Sequence, residues 1–166
     1  MKKTVLLLIS LFLVSNLVAC TTDGGAPSSE PQGESSNSNL PVVSDNAGDA
    51  PQISAPSGNP PANLVAEDVI VGSGATAVAE STVTVHYTLM SWSKGEILES
   101  SWSSGPATFP LNQVIIGWQQ GVPGMKEGGR RLLVIPPDLG YGASGAGAAI
   151  GPNETLIFVV DLIKVS

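Results

Sequence analysis

A long polar stretch divides this 166-residue chain and limits which part of it can fold. Residues 21–61 are mainly Ser, Asn, Gly, Pro, Gln and acidic residues, and the few large apolar residues among them show no helical or strand period. Such a segment buries too little apolar surface to offset the entropy that is lost on ordering. We therefore predict a flexible tether without a binding motif, followed by a folded domain at residues 62–166. A domain of about a hundred residues is long enough for one hydrophobic core.

The first nineteen residues have the pattern of an export signal. Lysines at positions 2 and 3 precede an apolar run at residues 5–13, which is too short for a comfortable transmembrane helix. Leu17-Val18-Ala19-Cys20 then resembles the bacterial lipobox, in which the cysteine becomes the lipid-carrying N-terminus. The alternative is an ordinary signal peptide with an incidental cysteine, which is disfavoured because Cys20 is the only cysteine. We predict a signal peptide at 1–19, a lipid-anchored disordered tether at 20–61, and an exported domain that faces outside the cytoplasm on a bacterial membrane.

The single cysteine and the single histidine limit the chemistry of the chain. One cysteine excludes an intrachain disulfide and a zinc site built on several cysteines. His86 has no cysteine partner for a metal and no Gly-x-Ser-x-Gly serine to activate, so we interpret it as a structural or surface residue. We expect no metal and no cofactor.

The net charge of −7 excludes another class of partner. No Lys or Arg occurs between Lys3 and Lys94, whereas phosphate binding requires clustered cations. Nucleic acid is therefore not expected as a partner. Electrostatic adhesion to anionic lipid is not expected either, so the lipid on Cys20 would have to provide the anchor.

The folded region is rich in short β-branched and apolar runs. These runs predict one short helix at residues 117–122 and strands at residues 69–71, 82–90, 107–111, 131–135 and 155–165. Four or five strands with one helix, and without alternating β and α units, indicate an α+β domain with a mainly antiparallel sheet.

Two glycine-rich segments superficially suggest nucleotide binding. Gly72-Ser73-Gly74 follows a strand, but a second strand comes next instead of the helix that a dinucleotide fingerprint needs, so we predict a turn. Residues 140–151 contain no Walker lysine and indicate a mobile surface loop. A loop of this length can still line a pocket.

Several stretches of the folded region form an ordered set of motifs. They are Val85-His86-Tyr87-Thr88, Leu98-Glu99-Ser100-Ser101, Phe109-Pro110-Leu111, Gln113-Val114-Ile115-Ile116-Gly117-Trp118, Gly121-Val122-Pro123-Gly124-Met125, Pro136-Pro137-Asp138-Leu139-Gly140-Tyr141-Gly142-Ala143 and Thr155-Leu156-Ile157-Phe158. Together, and in this order, they resemble the FKBP family of peptidyl-prolyl cis/trans isomerases. The resemblance covers roughly residues 65–165. It implies an antiparallel β-sheet wrapped around one short α-helix.

The resemblance also implies a proline-binding pocket. Trp118 would be the floor under the pyrrolidine ring, the Ile115 N–H would bind one substrate carbonyl, and the Tyr141 hydroxyl would bind a second. The loop after Tyr141 would be a flap over the pocket. The implied catalytic residues are Tyr87, Glu99, Ile115, Trp118 and Tyr141, and the implied substrate-binding residues are Leu98, Phe109, Val114, Ile150 and Phe158.

Three positions depart from the family pattern. Leu98-Glu99 stands where the family usually has an aromatic residue and an aspartate, and that aspartate is thought to face the twisting carbonyl. Glutamate keeps the charge but moves it by one methylene, so we predict reduced turnover. Ala107 stands where some relatives have a phenylalanine, and Gly151 stands where a proline is common.

The chemistry implied by the resemblance needs no nucleophile, metal or cofactor. Its barrier is the loss of amide resonance, about 18–20 kcal/mol, and an apolar pocket favours the twisted amide because twisting reduces charge separation. We therefore expect an exported isomerase that acts on proline-containing polypeptides and binds macrolide inhibitors of the rapamycin class.

Two other functions remain open from the sequence. One is a chaperone or assembly module that binds proline segments with little turnover, which Glu99 keeps possible. The other is a solute-binding lipoprotein, which the small domain and the absence of a two-lobed pattern disfavour.

Overall fold

The structure is a computed structural model that describes residues 39–166. The predicted signal peptide, Cys20 and the first part of the predicted tether lie outside the described residues. Within residues 39–166, no helix combines the length and the apolar character needed to cross a membrane.

A six-stranded antiparallel sheet forms the framework of the domain, which confirms the predicted antiparallel sheet but has more than the four or five predicted strands. The strands are β1 (Val65–Ile70), β2 (Thr82–Ser91), β3 (Ile97–Ser100), β4 (Ala107–Pro110), β5 (Arg130–Ile135) and β6 (Leu156–Val165). Their order is β1-β5-β6-β2-β3, and β4 pairs with the first half of β2. Strand β3 was not among the predicted strands, because only Ile97 of its four residues is β-branched or aromatic.

One short helix, α1 (Ile116–Gly121), packs on the inner face of this sheet. The packing is close because two helix residues have no side chain. A Cβ atom on Gly117 would lie 2.4 Å from Ile135 Cγ2, and one on Gly121 would lie 2.7 Å from Leu133 Cδ2. Both distances are shorter than a van der Waals contact, so glycine is required for the helix to approach β5. The main core lies between α1 and the inner face of the sheet, because the sheet wraps around this helix.

The outer face of the sheet carries a second apolar cluster. Alternate residues of a strand point to opposite faces, so the strands that fill the main core also supply outward-facing apolar side chains. The cluster, here called the outer cluster, consists of Met90, Trp92, Leu132, Val134, Ile157 and Val159.

Residues 39–58 cover the outer cluster, and we call this segment the strap. It folds back on itself through an antiparallel bridge between Val43 and Ile53, and Ser54 N donates to Val42 O at 2.9 Å. Leu40, Val43 and Ile53 pack against the outer cluster.

The predicted tether is therefore wrong for this segment, since residues 39–61 belong to the same compact unit as the sheet. The apolar residues of the strap are isolated along the sequence, but the fold-back brings them together on an apolar surface that already exists. These residues can therefore be buried without helical or strand periodicity in their own sequence.

Arg130 connects residues 44–49 of the strap to the sheet through hydrogen bonds. Its side chain has no exposed surface, and its Nε donates to Asp161 Oδ1 at 2.8 Å. Nη1 donates to Ser44 O at 2.8 Å, and Nη2 donates to Asp49 O at 2.6 Å. A buried cation is tolerated only when it is paired and hydrogen-bonded, and two of the three partners here belong to the strap.

Candidate active site

Trp118 forms the floor of a pocket on the inner face. It follows Gly117 in α1 and is only 4% exposed. Three aromatic rings stand nearly perpendicular to the indole plane: Phe158 at 5.3 Å between centroids and 86°, Phe109 at 5.8 Å and 84°, and Tyr87 at 5.9 Å and 83°. This edge-to-face arrangement is favourable for aromatic rings and creates walls around a flat apolar base.

The pocket above this floor has a volume of about 390 Å³. That volume lies in the range of small-ligand sites, which are mostly apolar with a few polar groups. It is lined by Tyr87, Leu89, Glu99, Phe109, Gln113, Val114, Ile115, Trp118, Tyr141 and Phe158.

Glu99 and Tyr87 form the polar corner of the pocket. They lie on the neighbouring strands β3 and β2, and the Tyr87 hydroxyl donates a hydrogen bond to Glu99 Oε1. Burial, the hydrogen bond to Glu99 and the negative charge of Glu99 raise the pKa of Tyr87 to about 12. The Tyr87 hydroxyl therefore remains a hydrogen-bond donor at neutral pH.

The loop before α1 presents a backbone donor at the pocket edge. Ile115 directly precedes the helix, and its carbonyl accepts from Trp118 N at 3.0 Å. Helix geometry supplies no intrahelical acceptor for the N–H groups at this end. Gln119 Nε2 donates to Val114 O at 2.7 Å, which holds the loop in place. The Ile115 N–H is thus available for a ligand carbonyl.

Tyr141 lies on the rim of the pocket. It sits between two short 3₁₀ helices, Pro137–Leu139 and Gly142–Ser144, and is 38% exposed. The glycine-rich loop continues from there and closes through a bridge between Ala146 and Ile150.

The structure brings most of the implied site residues together, with two differences. Leu98 and Ile150 belong to the main core beside the pocket and are not among the residues that line it. Conversely, Leu89 and Gln113 line the pocket but were not predicted. Leu89 lies two residues after Tyr87 on β2, so strand alternation alone could have placed it on the same face.

His86 lies on the opposite face from Tyr87, outside the pocket. Its ring stacks on Trp102 at 4.2 Å between centroids, and its Nδ1 lies 3.0 Å from Ser101 Oγ. These contacts agree with a structural role.

Comparison with known proteins identifies the family. Residues 74–163, more than half of the chain, match the family described as FKBP-type peptidyl-prolyl cis-trans isomerase. The chain belongs to this family.

Curated FKBP-type relatives support the assignment over almost their whole length. A "Probable FK506-binding protein" of Corynebacterium glutamicum is 49% identical over 115 residues, which cover 69% of this chain and 97% of the relative. An "FK506-binding protein" of Streptomyces anulatus is 51% identical over 119 residues, which cover 69% of this chain and 96% of the relative.

Solved FKBP-type structures share the fold. A peptidyl-prolyl cis-trans isomerase from Pseudomonas syringae has a TM-score of 0.58 and 36% identity, covering 62% of this chain and 75% of that one. FkpA from Escherichia coli has a TM-score of 0.58 and 38% identity, covering 62% of this chain and 48% of that one. The FKBP-like fold is confirmed.

The activity of the chain is therefore peptidyl-prolyl cis-trans isomerisation, as the sequence predicts. A "Probable FKBP-type peptidyl-prolyl cis-trans isomerase" of Haemophilus influenzae, 47% identical over 96 residues that cover 57% of this chain and 39% of the relative, carries that activity in its name. The alternative of a binding module with little turnover is not favoured.

Proposed function

We propose that this isomerase acts on X-Pro bonds of proteins that fold outside the cytoplasm, while a lipid on Cys20 anchors it to a membrane. The main structural support for action on X-Pro bonds is the floor of Trp118 with three aromatic rings nearly perpendicular to it. A pyrrolidine ring is compact and apolar, and a pocket with an apolar floor and aromatic walls accommodates it without any charged partner.

Each polar group at the pocket then has a role in turnover. The Ile115 N–H binds one substrate carbonyl, and the Tyr141 hydroxyl binds a second at the rim. These two hydrogen bonds hold the peptide bent while its amide twists. The apolar surroundings favour the twisted amide over the planar one, because the planar amide has the larger charge separation.

A protease-coupled assay on a neutral proline tetrapeptide tests this role of the pocket. We expect the wild-type protein to accelerate isomerisation and Trp118→Leu, which keeps an apolar side chain, to lose most of the acceleration. Gln120→Ala is the matched control, because Gln120 is exposed on the same helix and does not line the pocket. Full activity in a folded Trp118→Leu protein would contradict the proposed floor.

We also propose that the pocket binds macrolides of the rapamycin class. The support is chemical, since the pocket is mainly apolar, and comparative, since relatives are named FK506-binding proteins. Competition between such a macrolide and a proline peptide, measured as inhibition of turnover, tests the proposal. In Trp118→Leu, macrolide binding measured directly by isothermal titration calorimetry should be weakened, and unchanged binding there would contradict the proposed site.

The proposal of membrane anchoring rests on Leu17-Val18-Ala19-Cys20 and the basic, apolar segment before it. Cys20→Ser should release the protein from membranes or block its processing. Membrane fractionation measures this, and a variant that stays with the membranes like its parent would contradict the lipid anchor.

A further inference from the structure

Among residues 39–166, a single formally charged side chain lines the pocket. Nine of its ten lining residues are apolar, aromatic or amide-bearing, and only Glu99 is acidic. Glu99 is exposed at the pocket wall on β3, so a bound peptide would pass close to its carboxylate.

The carboxylate of Glu99 is held in a fixed position. The Tyr87 hydroxyl donates to Oε1, and the Tyr87 ring packs against the Trp118 floor at 5.9 Å between centroids. One tyrosine thus connects the acid to the position of the proline ring. Because Tyr87 donates to only one carboxylate oxygen, Oε2 can accept from a substrate.

No basic side chain neutralises Glu99 within the pocket. None of the Lys or Arg residues between positions 39 and 166 lines it. Arg130 is paired with Asp161 on the outer face, and Arg131 is paired with Asp68 at 2.7 Å. The chain as a whole is also acidic, with a net charge of −7.

We propose that Glu99 determines substrate choice, making the enzyme prefer proline segments with a Lys or Arg next to the proline over segments with an Asp or Glu there. This rests on the proposed binding of the proline ring over Trp118. Glu99 and the Trp118 floor both contact Tyr87, so a long side chain that flanks a proline bound over Trp118 is within reach of the Glu99 carboxylate. Opposite charges at such separations attract and like charges repel, with partial screening by water.

The experiment compares kcat/KM for short peptides by two-dimensional exchange NMR, which needs no helper protease and so leaves both flanking positions free. One peptide pair carries Lys or Glu before the proline, and a second pair carries Lys or Glu after it. At low salt we expect a Lys-over-Glu preference of about three- to tenfold in at least one pair. Near 1 M salt, where the Debye length is about 3 Å, the preference should nearly disappear.

Glu99→Gln identifies the source of the preference. It removes the charge but retains the shape, so the Lys-over-Glu ratio should fall towards one. Glu96→Gln is the matched control, since Glu96 is an exposed carboxylate of the β2–β3 turn that does not line the pocket, and the ratio should persist there. Thermal melts verify that both variants are folded.

The outcomes separate this proposal from the proposed binding site. Lys-to-Glu ratios near one in both peptide pairs, or a preference that persists in Glu99→Gln, would overturn selection by Glu99. In either case, turnover of a neutral Leu-Pro peptide by the wild-type protein would still support the proposed pocket. Absence of turnover for the neutral peptide as well would overturn both.

Discussion

Arg130, whose side chain has no exposed surface, donates a 2.6 Å hydrogen bond from Nη2 to the backbone carbonyl of Asp49. This bond joins strand β5 to the strap across 81 residues of sequence. It shows that the segment before residue 62 is part of the folded domain, although its composition is that of a linker.

Removal of the strap should destabilise the domain. A protein that begins at residue 62 exposes the outer cluster and leaves Arg130 without two of its acceptors, whereas one that begins at residue 39 retains both. We expect a difference on the order of 4 kcal/mol in the free energy of unfolding, measured by denaturant titration. Equal stability of the two proteins would contradict an integral strap and restore the predicted tether.

Two adjacent valines test the strap without truncation. Val43 packs against the outer cluster, while Val42 is 75% exposed. Val43→Ala should cost about 1 kcal/mol, and Val42→Ala should cost less than about 0.5 kcal/mol. Thermal or denaturant unfolding measures both, and equal costs would show that the strap does not bury Val43 in solution.

Gly117→Ala should impair both stability and turnover. The added Cβ would meet Ile135 at 2.4 Å, so α1 and the adjacent Trp118 must move away from β5. Overpacking of this kind costs about 1–3 kcal/mol. Gln120→Ala on the same helix should be neutral in both assays. A Gly117→Ala protein with unchanged melting and unchanged turnover would refute the close contact.

Tyr141→Phe should weaken substrate binding and leave the fold intact. The residue lies on the rim, and the change removes only a hydroxyl. Loss of one hydrogen bond, worth about 0.5–1.5 kcal/mol, predicts a fall in kcat/KM of about two- to tenfold. Unchanged kcat/KM in a folded variant would remove Tyr141 from the set of substrate-binding residues.

The pKa of Tyr87 can be measured in the same variant, because Tyr141→Phe leaves Tyr87 as the only tyrosine. Phenolate absorbance should report a pKa for Tyr87 that is still raised but lies below the wild-type value of about 12, because the charge of Tyr141, one of the smaller causes of the shift, is absent. Adding Glu99→Gln removes the negative charge and should lower this pKa, but not fully to 10.0, since burial is the largest cause of the shift.

The raised pKa of Tyr87 also makes the stability of the folded protein fall with rising pH in the alkaline range. Above pH 10 the unfolded chain releases the Tyr87 proton while the folded protein retains it, so the contribution of Tyr87 is complete below pH 10 and is lost as the pH rises through about 12. Titration of Tyr87 at its ordinary pKa in the folded protein would contradict its contact with Glu99.

The sequence alone predicted the β-rich fold and most of the pocket. Strand alternation is local information, so β2, β5 and β6 could be recognised from their own residues. The ordered family motifs then predicted Trp118, Tyr87 and Tyr141 as pocket residues, which the structure brings to one cavity.

Tertiary structure decided what the local pattern could not. Leu40, Val43 and Ile53 have no period, and their burial depends on an apolar surface contributed by strands that begin far along the chain. The partners of Arg130 are carbonyl oxygens of Ser44 and Asp49, which every residue type carries and which no sequence pattern reveals. The strap was therefore missed because its apolar contacts and its hydrogen bonds to Arg130 both depend on the sheet.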